Sequence, residues 1–425
     1  MRTNEDWRQR CLDDGELALA LRGWTGGLRI EIDGDPSGTL GLRVAGGVVA
    51  AGEPTGGVPS ADEPGVITLA ADRSVWSEVL APVPAPRFND VTPALRRGLR
   101  RRGDELLWWQ YLPAVQRAIE LLAEDAPAPT GTPAAEREAG PTPRFDGPVG
   151  RYVHLELDGL DHRLYFEEAG RGIPLLLQHT AGSHGVQWRH LFEVPAITEH
   201  FRLIAYDLPY HGKSVPPVGT EWWSRRYQLF GSFLRSVPVQ LAAALQLERP
   251  VFMGCSVGGL LALDLALHHP DVFRAVISLE GALRIGGDLD SLLGFWHPAV
   301  SNETKARMMQ GLTAPSAPMA YRKETIQTYA SGWPQAFLGD LQYYVEEYDL
   351  RATAAQIDTE RCAVHILNGS YDHSATPEHG RTAQAAIPGS TFTEMVGMGH
   401  FPMSEDPDRF LEHLLPVLDA VRLRR

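Results

Sequence analysis

Five short runs of almost unbroken apolar residues recur between residues 174 and 367, and stretches with helical periodicity separate them. A strand that is covered by helices on both faces has this composition, because neither of its faces meets water. The alternation therefore predicts an α/β fold with a mostly parallel, doubly wound sheet. The predicted strands are Pro174–Gln178, Arg202–Tyr206, Val251–Cys255, Ala275–Leu279 and Ala363–Leu367.

A compositional break divides the chain of 425 residues. Residues 124–149 are rich in Pro, Ala, Thr and Glu and contain almost no large apolar side chains, so they cannot bury enough surface to offset the entropy of ordering. Their prolines predict a semi-extended linker between a small domain at 1–123 and a larger one at 150–425. A helix near 5–22, short strands punctuated by Gly and Asp, and a last helix at 106–122 predict an α+β fold for the small domain.

Charge and cysteine content argue against several classes of function. With 39 basic and 53 acidic residues the formal net charge is −14, which argues against a nucleic-acid partner because phosphates favour a basic face. The three cysteines lie far apart without CxxC spacing, which argues against a disulfide framework or a zinc site and fits a reducing compartment. No spacing of His, Asp and Glu suggests a metal, and no glycine loop suggests an organic cofactor.

The sequence contains no targeting signal that we recognise. Its first twenty residues carry charges throughout and lack an apolar signal region. No uncharged apolar run approaches the roughly 18 residues that a transmembrane helix needs. We therefore expect a soluble, cytoplasmic protein without a membrane span.

The strongest local signal is the G-x-S-x-G run Gly254–Gly258, which stands between a predicted buried strand and a predicted helix. In this context a sharp, strained turn lifts the hydroxyl group of Ser256 above the sheet, and small residues around it let neighbouring backbone approach closely. The N-terminus of the following helix favours negative charge that develops near this hydroxyl. The alternative is a plain N-cap serine, but the strand–turn–helix context favours a nucleophile.

Four further motifs accompany the serine turn, and together they make residues 150–425 resemble the α/β-hydrolase superfamily. The sequence departs from that pattern at Thr180 and Tyr210, where the superfamily commonly has glycine. The resemblance implies an α/β-hydrolase fold with a helical cap, which we expect in the insertion at about 282–360. The four motifs are Gln178–Ser183 followed by Trp188 and Arg189, Asp207–Ser214, Asn368–Asp372, and Gly397–Phe401.

The resemblance assigns the roles of nucleophile, acid and base to Ser256, Asp372 and His400, in the chain order of these hydrolases. His400 is expected to take the serine proton and return it to the leaving group, while Asp372 holds the imidazole tautomer and stabilises the imidazolium. Glu280 is the alternative acid, because it directly follows the predicted strand Ala275–Leu279, where a minority of such enzymes carry the acid. A satisfied loop histidine is the alternative for His400.

An oxyanion hole requires two backbone N–H donors aimed at the anionic oxygen. One is expected at Val257, directly after the nucleophile, and the family spacing places the other at Ala181. The hydroxyl group of Thr180 either adds a third donor or packs. The aromatic and methionine-rich insertion predicts a roofed, apolar pocket. Its candidate lining residues are Thr180, Glu280, Trp296, Trp333 and Tyr344.

These features favour a hydrolase that cleaves a carboxylic ester or lactone of a hydrophobic small molecule. One alternative uses the same triad to cleave a carbon–carbon bond of a diketone or to hydrolyse a thioester. Another is a catalytically idle scaffold, with a hydrophobic ligand bound by the N-terminal domain. The order of elements in 1–123 and the stretch around Arg100–Asp104 resemble sterol-carrier-protein-2-like domains. The alternative there is a helper or oligomerisation domain, and an extra domain favours a homo-oligomer.

Overall fold

The chain folds into two compact units, which we treat separately. The computed structural model describes residues 2–50, 57–123 and 145–424. The first unit consists of Met1–Thr130 and Gly294–Ser316, and the second of Gly131–Leu293 and Ala317–Arg425. Most of the predicted linker, residues 124–144, lies outside the described residues.

The first unit is a small fold of helices and one mixed sheet. Strand β1 buries alternate side chains at Leu28, Ile30 and Ile32, as expected when one face lies on a core. The elements are α1 (Asn4–Asp13), α2 (Gly15–Ala20), β1 (Gly26–Ile32), β2 (Asp35–Ala45), β3 (Val48–Val49), β4 (Val66–Ala71), α3 (Arg73–Val79), α4 (Val91–Ala94), β5 (Arg100–Arg102) and α5 (Glu105–Leu122). The strand order is β3-β2-β1-β4-β5, with β1 and β4 parallel and the other pairs antiparallel.

The helix predicted near 5–22 is divided into α1 and α2. The side chain of Asp14 accepts a hydrogen bond of 2.7 Å from the backbone N–H of Leu17. Asp14 therefore caps the N-terminus of α2, and its extended backbone ends the preceding helix. The apolar periodicity continues across this cap, which is why the sequence pattern alone indicates a single helix.

The second unit contains the predicted mostly parallel sheet, which is confirmed. The strands are β6 (Val149–Leu157), β7 (Leu160–Gly170), β8 (Ile173–Gln178), β9 (Phe201–Tyr206), β10 (Val251–Cys255), β11 (Ala275–Leu279), β12 (Ala363–Gly369) and β13 (Thr391–Met395). Their order is β13-β12-β11-β10-β8-β9-β7-β6, in which β8 to β13 are parallel and β7 and β6 are antiparallel additions. The carboxyl ends of the parallel strands meet at one edge, where open α/β sheets place their sites.

Helices connect these strands, and β10 and β11 are buried at every position. Such burial is expected of strands that are covered on both faces. The helices after β8 are α6 (Pro195–Thr198), α7 (Gly231–Ala244), α8 (Val257–His268), α9 (Asn302–Gln310), α10 (Met319–Ala330), α11 (Pro334–Leu341), α12 (Pro377–Ala386), α13 (Pro402–Glu405) and α14 (Pro407–Leu423). Short 3₁₀ segments lie at Leu95–Arg97, Gly185–Glu193, Trp222–Ser224, Asp290–Trp296 and Ala354–Gln356, and a π-helix lies at Gln342–Glu347. Among the described helices, none has the length and apolar character needed to cross a bilayer.

The predicted insertion between β11 and β12 is helical, but it is shared between the two units. Its segment Gly294–Ser316, which includes α9, belongs to the first unit. The hydroxyl group of Thr304 donates a hydrogen bond of 3.0 Å to the carbonyl oxygen of Trp109 on α5. The amide of Gln310 donates one of 2.8 Å to the side chain of Glu120. The small domain predicted at 1–123 is therefore completed by a later segment of the chain.

Deleting residues 1–123 is expected to uncover the buried face of α9. Lys305, Arg307 and Met309 are each less than a tenth exposed, and losing the burial of an apolar side chain such as Met309 costs about 1.5–3 kcal/mol. We expect trypsin to cleave the truncated chain after Lys305 and Arg307 at least about tenfold faster than the full chain, because local opening limits this cleavage. Cleavage after the exposed Arg351 is the control. Equal rates at Lys305 and Arg307 in both proteins would contradict this account of α9.

Candidate active site

Ser256 lies on a strained turn between β10 and α8. Its φ of 60° and ψ of −113° fall outside the regions that residues with a side chain ordinarily adopt. A Cβ atom on Gly254 would lie 2.4 Å from the carbonyl oxygen of Gly258, and one on Gly258 would lie 2.7 Å from Cγ of Gln178. Close backbone packing thus requires both glycines, and it presents the serine at the carboxyl end of β10.

A buried hydrogen bond joins the predicted base to the predicted acid. Nδ1 of His400 lies 2.7 Å from Oδ2 of Asp372, and the two side chains are 5% and 0% exposed. His400 follows β13 and Asp372 follows β12, so neighbouring parallel strands deliver both side chains to one edge. A carboxylate acceptor fixes the proton of a neutral His400 on Nδ1, which leaves the lone pair of Nε2 available as a base.

The carboxylate of Asp372 is held by several donors. The backbone N–H groups of Ser374 and Ala375 donate to it at 2.7 and 3.1 Å. Burial alone raises the pKa of this carboxyl group, but the charge of His400 and hydrogen bonds from His400 and Glu280 outweigh burial and lower the pKa of Asp372 to about 2. Asp372 is therefore negatively charged throughout the pH range in which a histidine acts as a base.

Glu280 is fully buried next to this pair, and the carboxyl group bonded to His400 is that of Asp372. Both of its carboxyl oxygens accept from the backbone N–H of Gly369, at 2.9 and 3.0 Å. Burial, the nearby charge of Asp372 and a hydrogen bond to it raise the pKa of Glu280 well above its usual value. We therefore expect Glu280 to remain protonated and to donate a hydrogen bond to Asp372, while the carboxyl group that contacts His400 is that of Asp372.

Replacing Glu280 with glutamine is expected to remove a pH dependence of stability. The pKa of Glu280 is raised in the folded state, so folding takes up a proton at pH values above the unfolded-state pKa of about 4.3. The contribution of Glu280 to the free energy of unfolding therefore falls as the pH rises. One proton corresponds to about 1.4 kcal/mol per pH unit. Urea unfolding between about pH 5 and pH 9 should show Glu280→Gln gaining stability relative to the wild type as the pH rises. A difference that does not change with pH would show Glu280 to be ionised.

The two amides predicted for the oxyanion hole have no hydrogen-bond partner within the described ranges of the chain. The N–H group of Val257 opens helix α8, where the first amides have no acceptor within the helix. The N–H group of Ala181 is likewise unpaired, in the loop after β8. Both residues are buried. These donors are available to an oxygen atom that binds between them.

The side chain of Thr180 is held by two neighbouring side chains. Its backbone N–H and its hydroxyl group both donate to Oε1 of Gln187, at 3.1 and 3.0 Å. The same hydroxyl group contacts the hydroxyl group of Tyr329, from helix α10 of the insertion. The residue that departs from the usual glycine therefore fixes the loop through its side chain.

The aromatic candidates of the insertion lie in different places. Tyr344, on the π-helix, is 4% exposed. It also lies 2.9 Å from Oγ of Ser374, in the loop of the predicted acid. Trp333 lines two cavities of about 490 and 500 Å³ together with Tyr210, and Ser256 lines neither. Trp296 belongs to the first unit.

Two residues that support His400 were missed by the sequence analysis. Glu405 is fully buried, and its carboxylate accepts from the backbone N–H groups of Gly399 and Phe401, on either side of His400. The thiol of Cys255 donates to the carbonyl oxygen of His400 at 3.1 Å. A glutamate five positions after the histidine is a visible signal, but the sequence does not distinguish a buried glutamate from an exposed one.

A metal ion finds a poor site among these side chains. Within the described residues, the group of three side chains with suitable ligand atoms is Glu280, Asp372 and His400, whose atoms lie within 4.8 Å of one another. The bond between His400 and Asp372 and the bonds from the N–H of Gly369 to Glu280 already engage nitrogen and oxygen atoms of these side chains. The arrangement favours hydrogen bonding within the set over metal coordination.

Comparison with known proteins assigns more than half of the chain to a family. A family model described as alpha/beta hydrolase fold matches residues 173–407, more than half of the chain. The chain belongs to the α/β-hydrolase family. The model leaves residues 1–172 unmatched, and nothing in the comparisons supports the sterol-carrier-protein-2-like resemblance predicted for the N-terminal domain.

Several proteins of known name are similar to this member of the α/β-hydrolase family. The pimeloyl-[acyl-carrier protein] methyl ester esterase of Vibrio vulnificus is 24% identical over 265 residues, which are 59% of this chain and 96% of that protein. A thermophilic esterase from Thermogutta terrifontis aligns with a TM-score of 0.55 and 20% identity over 64% of this chain and 99% of its own. An enol-lactonase from Burkholderia xenovorans aligns with a TM-score of 0.51 and 22% identity over 63% and 100%. At these identities the structural likeness concerns the fold.

Proposed function

We propose that this chain is a serine hydrolase that cleaves a carboxylic ester or lactone of a hydrophobic substrate through an acyl-enzyme on Ser256. The observation that carries the proposal is the buried bond of 2.7 Å between Nδ1 of His400 and Oδ2 of Asp372. It forms at the same sheet edge that presents Ser256 on its strained turn. A serine with an oriented base and a charged acid is the arrangement that activates a hydroxyl group for acyl transfer.

In the proposed acylation step, Nε2 of His400 accepts the hydroxyl proton of Ser256 while Oγ forms a bond to the carbonyl carbon. The carbonyl electron pair moves onto its oxygen, and the N–H groups of Val257 and Ala181 stabilise the resulting oxyanion. Asp372 stabilises the imidazolium formed on His400. When the intermediate collapses, the bond to the leaving oxygen breaks and His400 returns the proton to that oxygen.

Deacylation repeats these steps with water as the nucleophile. His400 takes a proton from water, the hydroxide oxygen attacks the acyl carbon, and the same two amides hold the oxyanion. The bond to Oγ of Ser256 then breaks, and the imidazolium protonates the departing serine. In a lactone the alcohol group remains attached to the product acid, so one product leaves instead of two.

The surroundings of the site favour an apolar acyl or ring portion. Three aromatic side chains of the insertion, Tyr329, Phe337 and Tyr344, are each at most 5% exposed. Tyr344 contacts Ser374 and Tyr329 contacts Thr180, so these rings lie against the loop of Asp372 and the oxyanion loop. The named relatives, two esterases and an enol-lactonase by their names, support ester or lactone cleavage as the reaction.

A substrate panel tests the proposal. It contains p-nitrophenyl esters of increasing acyl length, an aliphatic lactone, an acyl thioester and a β-diketone, each assayed with the wild type and with Ser256→Ala. We expect ester or lactone turnover about 10³-fold above that of Ser256→Ala, with longer acyl chains preferred. If the wild type cleaves the thioester or the diketone but shows no Ser256-dependent cleavage of any ester or lactone, the proposed substrate class is contradicted. The assignment of the triad would be unaffected by this result.

A further inference from the structure

A fully buried aspartate of the insertion hydrogen-bonds to the loop that carries the second oxyanion donor. Asp340 lies near the end of α11 and is 0% exposed. Its Oδ2 atom accepts a hydrogen bond of 2.7 Å from the backbone N–H of Gly182, directly after Ala181. The motifs of the sequence gave no sign of this contact, because 158 positions separate the two residues.

The packing around Gly182 depends on the same helix. Gly182 has a φ of 63°, in the left-handed region that favours glycine. A Cβ atom there would lie 2.6 Å from Cβ and 2.8 Å from Cα of Phe337, on α11. The backbone of the oxyanion loop therefore lies directly against the insertion, and both a contact and a hydrogen bond fix it there.

Both neighbours of Ala181 are thus held by buried side chains. Gln187 accepts from Thr180 on one side, and Asp340 accepts from Gly182 on the other. The N–H group of Ala181 between them has no partner in the described part of the chain. Two fixed neighbours leave this N–H little freedom to reorient, which is the condition for a preorganised oxyanion donor.

A negative charge on Asp340 beside an oxyanion would oppose catalysis unless it is neutralised, and His211 is the neighbouring group that is placed to neutralise it. Its Nε2 atom lies 2.9 Å from Oδ2 of Asp340, and its Nδ1 atom lies 2.9 Å from the carbonyl oxygen of Pro209. Both ring nitrogens therefore face oxygen atoms, and a doubly protonated His211 can donate to both. Burial lowers the pKa of His211, but the charge and hydrogen bond of Asp340 outweigh burial, and the pKa is raised.

We propose that Asp340 is a positioning residue, through which the insertion fixes the oxyanion loop, and that His211 neutralises its charge. The inference rests on the proposed function, because it gives the oxyanion loop its catalytic role. Tyr227 adds a longer hydrogen bond of 3.3 Å to Oδ1 of Asp340. The carboxylate is therefore surrounded by donors, and its position is determined by three separate segments of the chain.

Turnover and binding of a transition-state mimic test this role. Asp340→Ala is expected to lower kcat by about 10²-fold, as the loss of an oxyanion donor does, with KM changed by less than about threefold. Phenylboronic acid forms a tetrahedral adduct with a nucleophilic serine, so its inhibition constant should rise at least about tenfold. Asp340→Asn keeps an acceptor oxygen and should recover most of the loss, remaining about three- to tenfold below the wild type.

The exposed Asp349, which pairs with Arg284 and Arg351, provides the matched control, and Asp349→Ala should leave both constants unchanged. Activities are divided by the concentration of reactive serine, which is measured by titration with a phosphonate. Misfolded protein is thereby excluded from the comparison. A folded Asp340→Ala protein with the kcat and boronate affinity of the wild type would overturn the inference. If Asp340→Ala does not fold, Asp340→Asn serves as the test. A kcat and a boronate inhibition constant equal to those of the wild type would then overturn the inference.

Amide hydrogen exchange separates this inference from the proposed function. The peptide that contains residues 180–186 should exchange at least about tenfold faster in Asp340→Ala than in the wild type, because the anchor of Gly182 is lost. Unchanged exchange would contradict the proposed role of Asp340 in holding Gly182, whatever the activity of the variant. If exchange is faster in Asp340→Ala but the wild type shows no Ser256-dependent turnover, the hydrogen bond from Gly182 to Asp340 is supported and the proposed function is contradicted.

Discussion

Replacing Ser256 with alanine should lower ester turnover by about 10³-fold or more, and His400→Ala should lower it by a similar factor. Alanine has no nucleophile at this position, and loss of the imidazole leaves the hydroxyl group without a proton acceptor. Because the two residues act as one unit, the double variant should lose no more than either single variant. Initial rates with a p-nitrophenyl ester give all three values.

The structure offers a matched control for the serine. Ser236, on α7, is partly buried and donates to the carbonyl oxygen of Phe233 at 2.7 Å, a local bond within its own helix. Ser236→Ala should keep the rate within about twofold of the wild type. Alanine and serine meet the same strain at the φ of 60° of Ser256, so Ser256→Ala should fold like the wild type. A folded Ser256→Ala protein with more than a tenth of wild-type turnover would contradict the assignment of Ser256 as the nucleophile.

Replacing Asp372 with asparagine should lower kcat by about 10⁴-fold. The amide of an asparagine would donate to Nδ1 of His400, which places the imidazole proton on Nε2 and removes the lone pair that accepts the serine proton. The imidazolium would also lose its neighbouring negative charge. KM should change little, because neither effect concerns substrate binding.

Glu280→Gln, assayed in parallel, identifies which carboxyl group supports the base. The account gives Glu280 a neutral side chain that donates to Asp372, and glutamine donates in the same direction. Its loss of kcat should therefore be at least about 10²-fold smaller than that of Asp372→Asn, since the contact with His400 is kept. Near-wild-type kcat in Asp372→Asn together with a large loss in Glu280→Gln would transfer the role of the acid to Glu280.

The parts of the site that the sequence predicts are those carried by short motifs. The turn at Ser256 requires glycines two positions away on either side, so its signal is contained within five residues. Asp372 and His400 follow β12 and β13, and the chain order is sufficient to place both at one sheet edge. Strand β13 itself was not predicted, because its residues are half-buried and largely polar and lack an apolar run.

The residues that escaped prediction contact the site across long stretches of sequence. Asp340 meets Gly182 across 158 positions, and Tyr329 meets Thr180 across 149. Neither belongs to a motif, and a buried aspartate has the same letter as an exposed one. The assignment of Gly294–Ser316 to the first unit has the same cause, because its hydrogen bonds to α5 span about 190 positions and leave no local pattern.

Labelling with a p-nitrophenyl alkylphosphonate tests the central claim most directly. The serine oxygen displaces p-nitrophenolate and forms a phosphonate ester, which intact-mass measurement counts and peptide fragmentation assigns to a residue. The account predicts one adduct per chain, on Ser256, with labelling of His400→Ala at least about 10²-fold slower because the serine keeps its proton. An adduct on another residue, or labelling of Ser256→Ala at the wild-type rate, would contradict the account.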